Sequence, residues 1–172
     1  SGYVPMGAVL ISDNLMEQVR AEDDSGAVFS NGFTYSGHPV SAAAALKNIE
    51  IIERDGLLEH VREVGPYFQE RLRELHDIPI VGDVRGLGLM ACVECVISQE
   101  SKEALKLDYE IGNRIDEHCQ KLGLIVRPLI NMCVMSPPLV ITKPQVDRLV
   151  ELLRQGILLA QEDVRREGLW KG

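Results

Sequence analysis

Residues 79–97 read PIVGDVRGLGLMACVECVI, and this stretch decides the fold class because the hydrophobic period changes there. Between Leu57 and Leu75 the apolar residues recur every three or four positions, which is the period of one helix face. From Ile78 onward, short apolar runs punctuated by glycine are typical of strands. We therefore predict two strands, over residues 79–84 and 88–97, joined at residues 85–88.

Helical patterns flank this strand pair on both sides. Upstream, Pro39 opens an Ala-rich helix that runs to Arg54, and Asp55 is the predicted N-cap of a second helix. Gly65-Pro66 interrupts the second helix and predicts a kink or a break. Residues 5–11 are predicted to form a turn that leads into a short buried strand. Helices are predicted at residues 13–20, at 104–122 and from Pro144 onward, and strands at 124–126 and 132–135. Short strands with helices on one face predict an α/β to α+β fold.

The amino-acid composition limits the classes of partner that the protein is expected to bind. The 172 residues are 45% hydrophobic, 26% charged and carry a formal net charge of -8. This balance predicts a folded protein that binds neither nucleic acid nor an anionic membrane, because a phosphate backbone is bound by clustered Lys and Arg. No apolar run is long enough to cross a bilayer, and no signal peptide is recognisable.

The cysteines predict no metal site. Cys92 and Cys95 have CxxC spacing, but a separation of three puts them on opposite faces of a strand. No matching pair occurs elsewhere. We expect buried free thiols and a cytoplasmic protein.

A glycine-punctuated loop, FSNGFTYSGHP at residues 29–39, is the first candidate for chemistry. It carries hydroxyl groups and ends at a predicted helix N-terminus, where backbone N–H groups favour an anion such as phosphate. The alternative is a plain capping loop in which Ser36 is the N-cap.

Two arginines are the other candidates. Arg127 follows a predicted buried strand and precedes Pro128, so it needs an anionic partner: a bound carboxylate, or an internal Asp or Glu. Arg85 lies among glycines that could hold a phosphate, but a tight strand connection with Arg85 in a structural ion pair is favoured. The histidines His60, His76 and His118 have no metal-ligand spacing.

Taken together, several stretches resemble the class III aminotransferases, the omega-transaminase-like branch of the fold-type-I enzymes that use pyridoxal 5'-phosphate. The matching stretches are SGYVPMGAV at residues 1–9, GFTYSGHPV at 32–40, VRGLGLM at 84–90, LIVRP at 124–128 and SPPL at 136–139. They follow the family's order over nearly the whole chain.

The resemblance implies roles for three residues. Phe33 and Thr34 match the family's loop that reaches across a dimer interface to the partner subunit's cofactor phosphate, and Arg127 matches the arginine that binds a substrate carboxylate. No catalytic residue is assigned within the chain, since the resemblance places the lysine that bonds to the cofactor upstream of Ser1. Two departures are Asn31, where many relatives have His, and Leu129-Ile130-Asn131, where Gly followed by a polar residue is frequent. The second departure alters the floor of the substrate pocket.

The resemblance also implies the organisation and the activity. Residues 1–54 would form the C-terminal end of the large cofactor-binding domain, and residues 55–172 the small C-terminal α+β domain. The parent protein would be a homodimer with shared active sites, transferring an amino group from an amine or amino acid to a keto acid. Two alternatives remain open: a non-catalytic, self-associating fragment without the lysine, and a pyridoxal-phosphate-dependent mutase or decarboxylase of the same fold.

Overall fold

The computed structural model of the chain describes residues 3–20, 31–101, 103 and 110–171, and it divides into two compact units, Ser1–Asp55 and Gly56–Gly172. The first unit contains helices α1 (Asp13–Val19) and α2 (Pro39–Arg54). Both helices lie within one residue of the predicted bounds. No described residue of this unit is buried.

Two predictions for the first unit are wrong. The expected buried strand over residues 5–11 does not form, and these residues are exposed. An extended segment becomes a strand only when a neighbour supplies hydrogen-bond partners, and the described residues offer it none. Ser36 is not the N-cap of α2: that position is His38, which makes no side-chain capping bond, and Pro39 opens the helix.

The described residues of the second unit form three α-helices and a four-stranded antiparallel sheet. The helices are α3 (Leu57–Arg73, continued by a 3-10 turn at Glu74–Asp77), α4 (Ile111–Leu122) and α5 (Lys143–Arg166). The strands are β1 (Val81–Leu87), β2 (Met90–Cys95), β3 (Arg127–Leu129) and β4 (Met132–Met135), in the order β1-β2-β4-β3. Phe68, Leu72, Ile115, Leu153 and Ile157 pack from the helices against the buried strand residues in one core. The expected α+β layer is confirmed.

The start of α3 differs from the prediction. Gly56 is its N-cap, with a left-handed φ of 59°, whereas Asp55 is the C-cap of α2 and pairs with Arg54. Glycine tolerates this conformation, which suits the junction between two consecutive helices. The helix also continues through Pro66 without a break, because buried Val64 and Phe68 hold it on either side.

The strand bounds shift as well. Arg85 lies inside β1, paired with Cys92, and the turn falls at Gly88-Leu89, where Gly88 has φ 57°. The strand expected at residues 124–126 instead begins at Arg127, since Arg127 is the first residue of this segment in register with β4. The Val126 N–H donates to Asp116 of α4 rather than to a strand.

The remaining predicted elements agree. The strand at residues 132–135 is confirmed, and α5 presents the expected apolar face. The prediction for α4 is confirmed over Ile111–Leu122, with Gly123 as its left-handed cap at φ 91°, while residues 104–109 lie outside the described part. Among the described helices, none combines the length and the apolar character that a membrane crossing requires.

Candidate anion-binding sites

Arg127 lies on the wall of a cleft of about 550 Å³ within the second unit. The sheet places it there: it begins the edge strand β3, and its side chain is exposed. The walls are mostly apolar and come from residues before β3, from the end of β4 and the segment after it, and from the first half of α5: Leu124, Ile125, Val126, Val134, Met135, Ser136, Pro137, Pro138, Val140, Ile141, Gln145 and Leu149. The cleft therefore combines a cation with apolar walls.

No described residue makes an ion pair or hydrogen bond with the Arg127 guanidinium. Arg85 differs from Arg127 in this respect, although both lie in one row across the sheet. In that row the strand register pairs Arg85 with Cys92, Cys92 with Val134, and Val134 with Arg127. Arg85 donates to Asp83 at 2.8 Å and also to Glu94, and these carboxylates raise the pKa of its guanidinium. The predicted structural role of Arg85 is confirmed. Within the described residues, the internal ion pair considered for Arg127 is not formed.

The other polar groups of the cleft are weaker candidates for an anion. Gln145 is engaged in the capping box of α5, where its side-chain oxygen accepts from the Thr142 N–H at 2.9 Å. Ser136 contributes a hydroxyl that carries no charge. Because guanidinium groups suit carboxylates bidentately, the cleft fits an apolar molecule that ends in a carboxylate.

The second candidate is the turn at residues 33–37 in the first unit. Ser36 closes it: its Oγ accepts from the Phe33 N–H at 2.9 Å, and its own N–H donates to the Phe33 carbonyl at 2.9 Å. Thr34 is exposed, and neither its hydroxyl nor its N–H binds another described residue. Phe33 is 84% exposed and lines a cleft of about 720 Å³, whereas Thr34 is not part of that wall. The free donors of Thr34 fit the acceptor oxygens of a phosphate.

Comparison with known proteins places the chain in a family. The family model "Aminotransferase class-III" matches residues 1–157. The chain belongs to the class-III aminotransferase family.

Its relatives include a putrescine–pyruvate aminotransferase from Pseudomonas aeruginosa, 43% identical over 90% of this chain and 33% of that protein. A mitochondrial gamma-aminobutyrate transaminase 1 from Solanum lycopersicum is 36% identical over 98% of this chain and 32% of that protein. This class-III chain therefore spans about a third of the length of these relatives.

Solved structures agree on the fold. An omega-aminotransferase from Paracoccus denitrificans superposes with a TM-score of 0.75 at 38% identity, over 79% of this chain and 30% of the other. The PMP-bound form of an aminotransferase from Vibrio fluvialis gives the same TM-score and identity over 80% and 30%. The predicted fold class, part of a fold-type-I transferase, is confirmed.

Two of the described lysines, Lys47 and Lys143, are engaged in ion pairs. Lys47 lies 2.6 Å from Glu50, and Lys143 lies 2.9 Å from Glu63, so both ammonium groups are paired with carboxylates. An amine nucleophile must instead be kept partly neutral. Lys102 and Lys106 lie outside the described residues.

The contacts of His60 and His118 and the burial of the cysteines are typical of residues with a structural role. Nε2 of His60 lies 2.8 Å from the Ile141 carbonyl oxygen, and Nε2 of His118 lies 2.6 Å from Asp163. All four cysteines are free; burial raises the pKa of the Cys95 thiol to about 12 and that of Cys119 to about 11. In the part of the chain that the structure describes, no group of three or more His, Cys, Asp or Glu residues could hold a metal ion.

Sequence reasoning missed one feature beside Arg127. β3 and β4 are joined by the two-residue turn Ile130-Asn131, and Ile130 has a left-handed φ of 57°. From the sequence, Leu129-Ile130-Asn131 stands out only as a departure from the resemblance. Its signal was the two-residue gap between two short apolar runs, which is typical of a hairpin.

Proposed function

We propose that the full-length protein is a pyridoxal-phosphate-dependent aminotransferase that moves an amino group from an amine or amino acid to a keto acid. Family membership and the transaminase names of the relatives support this activity. When bound, pyridoxal phosphate supplies the electron sink for the transfer, and the protein supplies orientation and electrostatics. The chain's own contribution is to bind anions at two places.

In this proposal Arg127 binds the substrate carboxylate. The single observation that carries it is that the Arg127 guanidinium, in an apolar cleft, pairs with no described residue, whereas Asp83 and Glu94 already neutralise Arg85 on the same cross-strand row. A charge-assisted bond to a carboxylate is about twice as strong as a neutral one. The apolar walls would hold the aliphatic part of the substrate and exclude water.

Phe33 and Thr34 are proposed to bind the cofactor phosphate of a partner subunit. The support is the exposed turn, in which the hydroxyl and N–H of Thr34 bind no other residue that the structure describes. The same proposal includes a homodimer and a cofactor-binding lysine upstream of Ser1. It also includes a cytoplasmic location, which the free cysteines support. It also assigns residues 1–54 to the large domain and residues 55–172 to the small domain.

Kinetics of the full-length holoenzyme test the role of Arg127. We expect Arg127→Gln to raise the KM for a keto acid about tenfold or more, because a hydrogen bond between charged groups contributes about 1.5–3 kcal/mol. Arg148→Gln is the matched control, since Arg148 is an exposed arginine paired with Glu151 on α5. Equal KM values for the two variants would refute the carboxylate role.

A second pair of measurements separates the cofactor site from the substrate site. Thr34→Val removes the hydroxyl while keeping the shape, so we expect weaker pyridoxal phosphate affinity, measured by equilibrium dialysis, with a normal KM for the keto acid. Ser41→Ala is the control for loss of a hydroxyl elsewhere in the first unit, at the cleft that Phe33 lines. Unchanged cofactor affinity in Thr34→Val would remove Thr34 from the phosphate site.

A further inference from the structure

The β3–β4 turn contains a residue in an unfavourable backbone conformation. Ile130 is the first of its two central residues, and no other non-glycine residue in the described part of the chain has a positive φ. Glycine is the usual residue at such a position of a two-residue hairpin, and a β-branched side chain is especially disfavoured there. The Ile130 side chain is 51% exposed, so burial offsets only part of this cost.

The surroundings hold the turn in place. The Gly112 N–H of α4 donates to the Ile130 carbonyl at 3.0 Å, and the Asn131 carbonyl accepts from the Cys95 N–H at 2.8 Å. The Asn131 side chain is 7% exposed and donates to the Cys95 carbonyl at 2.8 Å. Strained residues persist where neighbours determine the geometry in this way, and they cluster at functional sites.

Arg127 depends on this turn for its position. β3 is a three-residue strand at the edge of the described sheet, next to β4, with Arg127 opposite Val134 and Leu129 opposite Met132. Two carboxylates fix the Arg85 guanidinium, whereas no described residue fixes that of Arg127. The location of the free guanidinium therefore follows the backbone of the hairpin, and turn geometry sets hairpin register.

We propose that Ile130 is a positioning residue for Arg127. The stiff left-handed backbone of Ile130 is held in place by the contacts of Gly112 and Asn131, and it keeps β3 in the position from which the Arg127 guanidinium faces the cleft. The inference rests on the proposed role of Arg127 in carboxylate binding. Glycine at position 130 would relieve the strain but allow more backbone conformations, so the guanidinium would be less well ordered. Asparagine tolerates the left-handed region with less freedom than glycine and therefore keeps more of the positioning.

Binding of butanoate to the full-length holoenzyme tests the proposal without turnover, because butanoate has neither an amino nor a keto group. We expect Ile130→Gly to weaken butanoate binding about threefold or more, and Ile130→Asn to weaken it less. In an Arg127→Gln background, Ile130→Gly should have no further effect, because its action passes through Arg127. Butanamide, the uncharged isostere, should bind all variants equally. Circular dichroism and thermal unfolding verify that each variant is folded.

The outcomes separate the two hypotheses. If Arg127→Gln itself leaves butanoate binding unchanged, the proposed carboxylate role fails and Ile130 has nothing to position. If Arg127→Gln weakens binding but Ile130→Gly does not, the positioning role alone is overturned. If Ile130→Gly weakens butanoate binding equally with Arg127 present and in the Arg127→Gln background, the positioning role is also overturned. The Ile130 side chain would then act on the ligand directly or through a general loosening of the fold.

Discussion

At the scale of single residues, Asp163 of α5 contacts α4 through its carboxylate. Its Oδ2 lies 2.6 Å from Nε2 of His118, and its Oδ1 lies 2.6 Å from Nη2 of Arg166. The hydrogen bond from His118 is the main cause that lowers the pKa of the Asp163 carboxyl. The side chains of His118 and Asp163 are only 20% and 23% exposed, so solvent screens the pair less than it would a surface pair.

This contact predicts a loss of stability in acid. A carboxyl whose pKa is lower in the folded state stabilises the fold above its unfolded pKa of about 4, and this contribution is lost as the pH falls through the folded value. We expect Asp163→Asn to lower the free energy of unfolding by about 1 kcal/mol at pH 7. The difference from the unsubstituted protein should shrink below about pH 4. Urea unfolding at pH 7 and pH 3 measures both effects.

The control for that measurement is Glu162→Gln, which removes a neighbouring carboxylate that is 64% exposed and 3.7 Å from Arg165. We expect it to change stability little at either pH, because exposed ion pairs contribute little. A pH-independent loss in Asp163→Asn would mean that shape, rather than charge, explains its effect.

The identities of single residues predicted one feature of the candidate substrate site and missed another. Arg127 could be named from the sequence because a charge beside a short apolar strand needs an explanation, and within the described part of the chain it has no ionic partner. The left-handed φ of Ile130 could not be named, since the sequence has neither Gly nor Asn at that position. It is imposed by Gly112 of α4 and Cys95 of β2, which are distant in sequence.

At the scale of elements, long periodic segments were predicted well, whereas among the short strands only β4 has the predicted bounds. The bounds of α2 and the buried face of α5 follow from local periodicity. A three-residue strand such as β3 has no period of its own, so its start depends on which residues come into register with β4. The same reason explains the failure of the strand expected at residues 5–11.

The continuity of α3 through Pro66 gives an element-scale prediction. Pro66 cannot donate to the Arg62 carbonyl, yet the helix persists because Val64, Phe68 and Leu72 are 0–2% exposed in the core. We expect Pro66→Ala to raise the free energy of unfolding by about 1–3 kcal/mol, since it restores the missing bond at an exposed position. Urea unfolding at pH 7 measures the change.

Glu70→Ala is the matched control for this substitution, because residue 70 is also exposed on α3 and lacks the proline ring. Its expected effect lies within about 0.5 kcal/mol. If Pro66→Ala raises the free energy of unfolding no more than Glu70→Ala does, α3 accommodates Pro66 without loss of stability.

At the scale of the whole molecule, the two units differ in how they are stabilised. Gly56–Gly172 contains a continuous core of buried side chains from three helices and the sheet, whereas the described residues of Ser1–Asp55 include no buried side chain. Sequence alone could not show this difference, because residues 5–11 and α2 are as apolar as segments that are buried in the second unit. Burial depends on which surfaces meet, and local hydrophobicity does not determine that.

Native-state hydrogen exchange of the 172-residue chain measures this difference. Amide protection reflects the free energy of opening, which is low where few apolar contacts are buried. We expect the amides of α3, α5 and β2 to exchange slowest, and those of α2 to exchange orders of magnitude faster despite its 16 residues and regular hydrogen bonds. Sixteen residues are close to the length at which an isolated helix is only marginally stable in water, so α2 depends on a packed face. Protection of α2 equal to that of α5 would show that a packed face of α2 stabilises it as strongly as the core stabilises the second unit.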